Sequence, residues 1–431
     1  MVAKKKKASK VKKVSKVKKT SKTSKAIQTS KAPQTKVKLT KEIKSSKTKV
    51  LFKAPFKDYS GYASVARQFI LELYKMDKFD LYLEPIVWIN SGNLEMDPAD
   101  AAIFDELIEK GKNITPEDTT LIHFSIATEF FGEQSPFKNT IGFTMLETDK
   151  TSPTWAYKCN QMDAIFVPST FCMSSFMQSN IIKPIRVIPF GIDFDKYIPE
   201  GPKLLDDDVI TTKYNFLFVG QWLQAGDRKN IIGTIRTFLN LFKDNPDVGL
   251  ILKSYLVGAG TVDKMSIDAQ IQGFRKQLGF KEDEGPKIYL VHGALSEENM
   301  IKLYRNADSF LLPTTGEAWG MPLIEAAAMK LPIITTSGTG AEAFLNPKYT
   351  IMIEHEWKAI GNALYWPGVY EPQQQLAIPN MEEFSRMVNR VHKHQDISKD
   401  QAKKQYDELI ERDFSWENAA KQLAEAIEDF N

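Results

Sequence analysis

The feature that most constrains this fold is an alternation of short apolar runs with longer helical stretches, played through twice in one chain. The first series of predicted strands is Lys49–Ala54, Phe79–Pro85, Thr120–Ile126, Thr140–Glu147, Ala164–Pro168 and Ile185–Phe190. Tyr62–Tyr74, Ala101–Lys110, Thr154–Gln161 and Phe171–Gln178 lie between them as predicted helices. Ile198–Lys213 (IPEGPKLLDDDVITTK) then interrupts the pattern with Pro, Gly and an acidic cluster, as a linker does. The alternation resumes with strands at Phe216–Gly220, Gly249–Lys253, Ile288–Val291, Ser309–Pro313, Pro332–Thr336 and Thr350–Glu354. Its helices are Ile231–Phe242, Ile267–Leu278, Glu297–Asn306 and Pro322–Met329, and Met381–Val391, Lys399–Glu411 and Trp416–Phe430 follow.

Strand alternating with helix predicts parallel sheets covered on both faces. The expected fold is therefore α/β, with two Rossmann-like, doubly wound halves facing a cleft. The boundaries read as a tail 1–48, a first half 49–197, a linker 198–213, a second half 214–412 and a final helical segment 413–431. That last segment is placed to pack back on the first half. Ligands of such sheets bind beyond the carboxyl ends of the strands, so the cleft is the expected site.

Charge is divided unevenly along the chain. Residues 1–49 hold nineteen Lys and one Glu, a net of +18, so an overall +3 leaves −15 on the remaining 382 residues. The tail has no aromatic residue and cannot bury enough apolar surface to offset its ordering entropy, which predicts disorder. Lysine runs attract polyanions: nucleic acid, an acidic membrane surface or an acidic protein. A solvated, solubilising extension is the plain alternative. No apolar segment follows the charges as in a secretory signal, and the absence of Arg does not suit a mitochondrial presequence. No run reaches about 18 apolar residues, the length needed to span a bilayer. Cys159 and Cys172 form no metal or redox motif, so a reducing cytoplasm is the expected compartment, with any membrane contact peripheral.

The segment richest in chemistry is Leu311–Ser337, LLPTTGEAWGMPLIEAAAMKLPIITTS. A strand ends at Pro313, a small-residue loop follows, and a helix begins near Pro322, where a missing N–H has no partner to lose. The amides of Gly320, Met321 and Leu323 are expected at that helix N-terminus, a place that favours phosphate. Glu317 and Glu325 are carboxylates able to accept the paired hydroxyls of ribose or a sugar. For Glu325 alone, pairing on a surface helix is the simpler reading. In Phe218–Ile231 (FVGQWLQAGDRKNI) a strand ends at Gly220, and Arg228 and Lys229 precede a helix whose dipole they oppose. A diphosphate resolves that conflict, and so does an ion pair with Asp227. In Ala54–Arg67, Gly61 permits close approach of backbone to a phosphate, although a single glycine turn is a weak signal.

GEAWGMPLIEA, with LYRNADSFLLPT before it and LPIITT after, resembles the retaining glycosyltransferases of the two-Rossmann (GT-B) fold. The group it resembles is the "glycosyl transferases group 1", family four. Arg228-Lys229-Asn230 resembles that family's phosphate-binding pair, and IPFGID (Ile188–Asp193) the strand that ends its first half. GFTMLETD, ending at Asp149, is similar to a variant of that half. The resemblance spans roughly residues 50–430 and is strongest in the second half. It implies that Glu325 binds the nucleotide ribose and Glu317 the donor sugar's hydroxyls. Arg228 and Lys229 would hold the diphosphate and stabilise the leaving group, a large term in such a transfer. Gly320, Met321, Pro322, Leu323 and Gly220 would complete the donor side, with Gly61 approaching from the opposite half. It also implies retention of anomeric configuration with no dedicated protein base, and no cofactor beyond the UDP-, GDP- or ADP-sugar donor. The acceptor, a glycan, lipid or protein, is not specified.

Where the family usually continues Glu-Ala-Met-Ala and a small residue, this chain has EAAAMK, beyond the expected contacts. His123 and Glu147 are acceptor-side candidates, although a buried, hydrogen-bonded core histidine is the commoner state and a structural role for Glu147 is an equal reading. Asp193/Asp195 and Asp206–Asp208 satisfy an Asp-x-Asp metal pattern but sit at a domain exit and in the linker, so no metal is expected. Two other readings stand beside transfer. One is a sugar-nucleotide epimerase of the same fold, and the other is a non-catalytic protein that binds polyanions through its basic tail.

Overall fold

The computed structural model describes residues 47–430, apart from 89–95, 132–134, 223–225, 257–259, 282–283 and 363. The Lys-rich tail up to residue 46, with its expected disorder and polyanion binding, lies outside the described residues.

The first half contains strands β1 (Lys49–Ala54), β2 (Asp80–Pro85), β3 (Thr119–Phe124), β4 (Asn139–Phe143), β5 (Ala164–Val167) and β6 (Ile185–Val187). Its helices are α1 (Gly61–Met76), α2 (Pro98–Gly111), α3 (Pro153–Cys159) and α4 (Thr170–Met177). The six strands form one parallel sheet in the order β2-β1-β3-β4-β5-β6. The second half repeats the plan with β7 (Tyr214–Val219), β8 (Val248–Ser254), β9 (Lys287–His292), β10 (Ser309–Leu312), β11 (Ile333–Thr336) and β12 (Ile351–Ile353). Here the parallel order is β12-β11-β10-β7-β8-β9, with helices α5 (Ile231–Leu241), α6 (Thr261–Gln277), α7 (Glu297–Tyr304) and α8 (Met321–Ala328).

The predicted strands are present in both halves, and one boundary matters. The run Thr140–Glu147 was expected to be a single strand, but β4 stops at Phe143. Beyond it, Leu146 turns inward to pack with Trp155 and Cys172, and the chain leaves the sheet carrying Glu147. Burial rewards an apolar run whether or not the ladder continues, so pattern alone could not show where pairing ended.

Helix α1 shows how sequence positions the first half. Ser60 caps it by accepting from the Ala63 amide at 3.1 Å, and the buried face runs Ala63, Val65, Ala66, Phe69, Ile70, Leu73. Phe69 meets Trp416 at a ring-centroid distance of 5.4 Å, edge to face. Such aromatic pairs contribute about 0.5–1.5 kcal/mol beyond their burial. Trp416 opens α11 (Trp416–Glu428), which follows α9 (Met381–Lys393) and α10 (Gln395–Glu411) and packs on α1 of the first half. Gly191 of IPFGID allows that return, because a Cβ there would lie 2.5 Å from the Trp416 nitrogen.

One element was not foreseen. After β12 the chain forms an antiparallel ribbon, β13 (His355–Ala359) with β14 (Gln375–Pro379), whose connection reaches the first half. Gln374 is 1% exposed and donates to Thr148 Oγ1 at 2.9 Å and to the Lys150 carbonyl at 2.6 Å. The Gln375 amide donates to Asp149 Oδ1 at 2.6 Å, and Ser152 Oγ donates to the Gly368 carbonyl at 2.6 Å. Trp357 stacks on Phe171 of α4 at 6.4 Å. The ribbon thus straps the second half to residues 147–154 of the first.

Candidate functional site

Arg228 and Lys229 sit between the end of β7 and the start of α5. Asp227 does not pair with them. Its two carboxylate oxygens accept from the Ile231 and Ile232 amides at 2.8 and 2.7 Å, capping α5. Burial pushes the Asp227 carboxyl up, against the backbone bonds from Ile231, Ile232 and Asn230. With Asp227 so engaged, the ion pair weighed from sequence is replaced by longer-range partners. Lys229 Nζ lies 2.5 Å from Glu317 Oε1. Arg228 donates to the Gly316 carbonyl at 2.5 Å and reaches Glu147 Oε1 at 3.2 Å and Glu317 Oε1 at 3.8 Å. All four side chains are less than a fifth exposed, so this is a buried charge cluster across the two halves.

The loop bearing Glu317 is fixed from several sides. Its carbonyl accepts from the Gly340 amide at 2.7 Å, and the Arg228 carbonyl accepts from the Thr315 amide at 2.7 Å. Ser169, the cap of α4 in the first half, donates its hydroxyl to the Ala318 carbonyl at 2.8 Å. Trp319, 2% exposed, is wedged among Phe190, Phe344 and Phe414. Burial would raise the Glu317 carboxyl, but Lys229 and Arg228 outweigh it and hold it below the ordinary range.

Gly320 precedes α8 in the left-handed region at φ +98°, where a side chain would be strained, and no side chain caps the helix. Pro322 occupies the first turn as expected, next to Met321. The Leu323 amide corrects the expectation of a free donor, because it bonds back to the Gly320 carbonyl at 2.9 Å. The left-handed residue tightens the first turn enough to consume that N–H. Glu325 lies one turn further on, where Tyr304 donates its hydroxyl to Oε2 at 2.7 Å. Burial raises the Glu325 carboxyl to about 7, with Glu297 adding repulsion and the hydroxyls of Tyr304 and Tyr197 opposing.

Gly220 follows the last residue of β7, and a Cβ there would stand 3.2 Å from the Lys229 side chain. Gly61 begins α1 with no atom within 4 Å of where a Cβ would stand. Lys253, at the end of β8, was not singled out from sequence. It is buried beside Tyr255, and burial lowers its ammonium to about 8. A lysine inside an apolar strand carries a signal, since burying its charge is costly.

His123 is buried between Phe130 and Phe131, but the expectation of a hydrogen-bonded core histidine is corrected. Neither ring nitrogen has a partner among the described residues, and burial, with Lys53 and Lys158 nearby, lowers the ring to about 3. Asp193 accepts from the Asp195 and Lys196 amides in a turn, and Asp206–Asp208 are exposed in the linker. Among the described residues, no three His, Cys, Asp or Glu gather as a metal site, and no helix is long and apolar enough to cross a membrane.

Residues 213–365, which contain the Arg228–Glu317 cluster and α8, match the family model "Glycosyl transferases group 1". This segment belongs to the glycosyl transferases group 1. A probable sucrose-phosphate synthase of Thermosipho melanesiensis is 23% identical over 252 residues, 57% of this chain and 48% of that protein. The chain spans about half the length of the curated relatives it matches. Among solved structures, HepE of Anabaena in complex with UDP and glucose superposes with a TM-score of 0.62 at 12% identity, covering 89% of this chain and 100% of that one. A sucrose-phosphate synthase of Thermosynechococcus elongatus gives 0.58 at 15% identity, covering 89% and 99%. The paired parallel sheets are thus the GT-B fold of a group 1 glycosyl transferase segment joined to a second Rossmann-like half.

Proposed function

We propose that this protein transfers a hexosyl-type sugar from a nucleotide-diphosphate sugar to an acceptor, with retention of configuration and without a metal. The observation that carries the reading is the buried set Arg228, Lys229, Glu317 and Glu325 at the carboxyl ends of the second sheet. Two cations at the start of α5 supply the charge that a departing diphosphate develops, the role a metal plays elsewhere. Glu317 keeps its negative charge for sugar hydroxyls, and Glu325 is placed for a ribose diol. Gly320, Met321, Pro322 and Leu323 shape the floor, and Gly61 faces the phosphates from the first half. No separate base is assigned; the leaving phosphate oxygen accepts the acceptor's proton on the same face of the sugar. Because HepE is described with UDP and glucose, UDP-glucose is the first donor to try.

The test is to incubate the full chain with UDP-, GDP- and ADP-sugars, with and without glycan, lipid and protein acceptors, and follow nucleotide release. Acceptor-dependent release supports transfer. Interconversion of the free donor sugar without an acceptor supports an epimerase, and no binding of any donor sinks both.

A further inference from the structure

Resting on that donor reading, we propose that Glu147 is a resident counter-ion, the anion that holds Arg228 until the donor's diphosphate takes its place. The four charged groups of the cluster, Arg228, Lys229, Glu147 and Glu317, balance one another. A sugar nucleotide brings one negative charge on each of two phosphates. Adding both to a buried, balanced cluster leaves uncompensated charge, which is strongly unfavourable. The arm of Arg228 that faces Glu147 cannot serve a carboxylate and a phosphate at once, so one carboxylate gives up its cation, and the geometry selects which.

Glu317 is fixed. It is 5% exposed, bonded to Lys229, and its own carbonyl is held by Gly340. Glu147 belongs to the other half, on the segment that leaves the first sheet after β4, and its carboxylate bridges two partners. Oε1 faces Arg228 at 3.2 Å, and Oε2 accepts from the Tyr370 hydroxyl at 2.5 Å. Tyr370 rides on the strap between β13 and β14, so its hydroxyl can keep Glu147 when Arg228 turns to phosphate. The Arg228 fork presents one arm to Gly316 and the other to Glu147, and the second arm is the one a phosphate oxygen claims. Glu147 thereby competes with the donor for the same guanidinium, and only a ligand with enough charge displaces it.

Titration calorimetry of the full chain with UDP, GDP, ADP, inorganic pyrophosphate and uridine tests this. The wild type, Glu147→Gln and Glu147→Asp are compared, and thermal melting shows that each variant is folded. Glu147→Gln removes the competing charge, and the diphosphate that binds the wild type is expected to bind it about five- to tenfold tighter. Glu147→Asp withdraws the charge by one methylene and gives a smaller gain in the same direction. Uridine, which lacks phosphate, shows no gain. Damage to the fold would weaken binding, so tightening is an outcome that a merely structural role does not produce. Unchanged or weaker diphosphate binding in the folded variants overturns the counter-ion while the donor reading stands. If the wild type binds none of the diphosphates, the donor reading fails and this proposal falls with it.

Discussion

The Tyr304 hydroxyl donates to Glu325 Oε2 at 2.7 Å while burial raises the same carboxyl to about 7. A ribose diol needs both oxygens of a charged carboxylate, so protonation removes an acceptor. The value of kcat/KM for the donor reports the free enzyme, and it is expected to fall about tenfold per unit as pH drops below that value. Tyr304→Phe removes a donor that favours the charged form and should move this limb to higher pH; Glu325→Gln should flatten it at a low rate. Stability runs the other way. A folded carboxyl that keeps its proton to about 7, against 4.5 for the ordinary group, stabilises at low pH and loses that contribution as pH rises through the window. A kcat/KM limb indifferent to Tyr304→Phe would remove Glu325 from the donor site.

Arg228→Ala should act on both stability and catalysis. It leaves Glu147 and Glu317 short of a buried partner, and breaking such a set costs about 3–5 kcal/mol. It also removes transition-state charge stabilisation worth about a hundred- to a thousandfold in kcat. Denaturant unfolding measures the first effect and single-turnover transfer the second. Normal turnover in a destabilised Arg228→Ala protein would show that the residue is only structural.

The second half was legible because its signals are local. The Pro322 helix start, the Arg228-Lys229 pair and the carboxylates at 317 and 325 each follow from neighbours in the chain. What could not be read was pairing between distant segments. Nothing near Glu147 in sequence points to Arg228 or Tyr370, and the strands of the strap are short, with β13 mostly exposed. A period-two pattern needs one buried face alternating with an exposed one; β13 buries no face, and in β14 Leu376 and Ala377 are buried side by side instead of alternating. Asp227 illustrates the opposite failure, where the nearest charge in sequence was the expected ion-pair partner but serves as a helix cap.

Trp319→Ala should be among the most destabilising single changes. The indole is buried among Phe190, Phe344 and Phe414, aromatic groups drawn from the first half, the second half and the approach to α11. Emptying such a site costs about 3–5 kcal/mol. Its neighbours in sequence hold Ala318 to Ser169 and set the position of Glu317, so donor affinity should fall with stability. Trp319→Phe, which retains most of the volume, should recover the larger part of both. Calorimetric melting alongside UDP titration measures the pair, and a mild loss for the alanine variant would contradict the wedge.

Gly61→Ala separates a structural glycine from one reserved for a ligand. Gly61 begins α1, its φ is not in the left-handed region, and an added Cβ would meet nothing within 4 Å. Geometry thus gives no reason within the protein for a glycine there. Replacing it by alanine at a helical position should leave stability unchanged or raise it by about 0.4–1 kcal/mol, by restricting the unfolded chain. If a donor phosphate approaches this backbone, the methyl group stands in its way, and donor KM should rise while the melting temperature holds. Melting and donor saturation curves on the same preparation decide it. Stabilisation with unchanged KM would take Gly61 out of the donor site and leave the first half's contribution to Glu147.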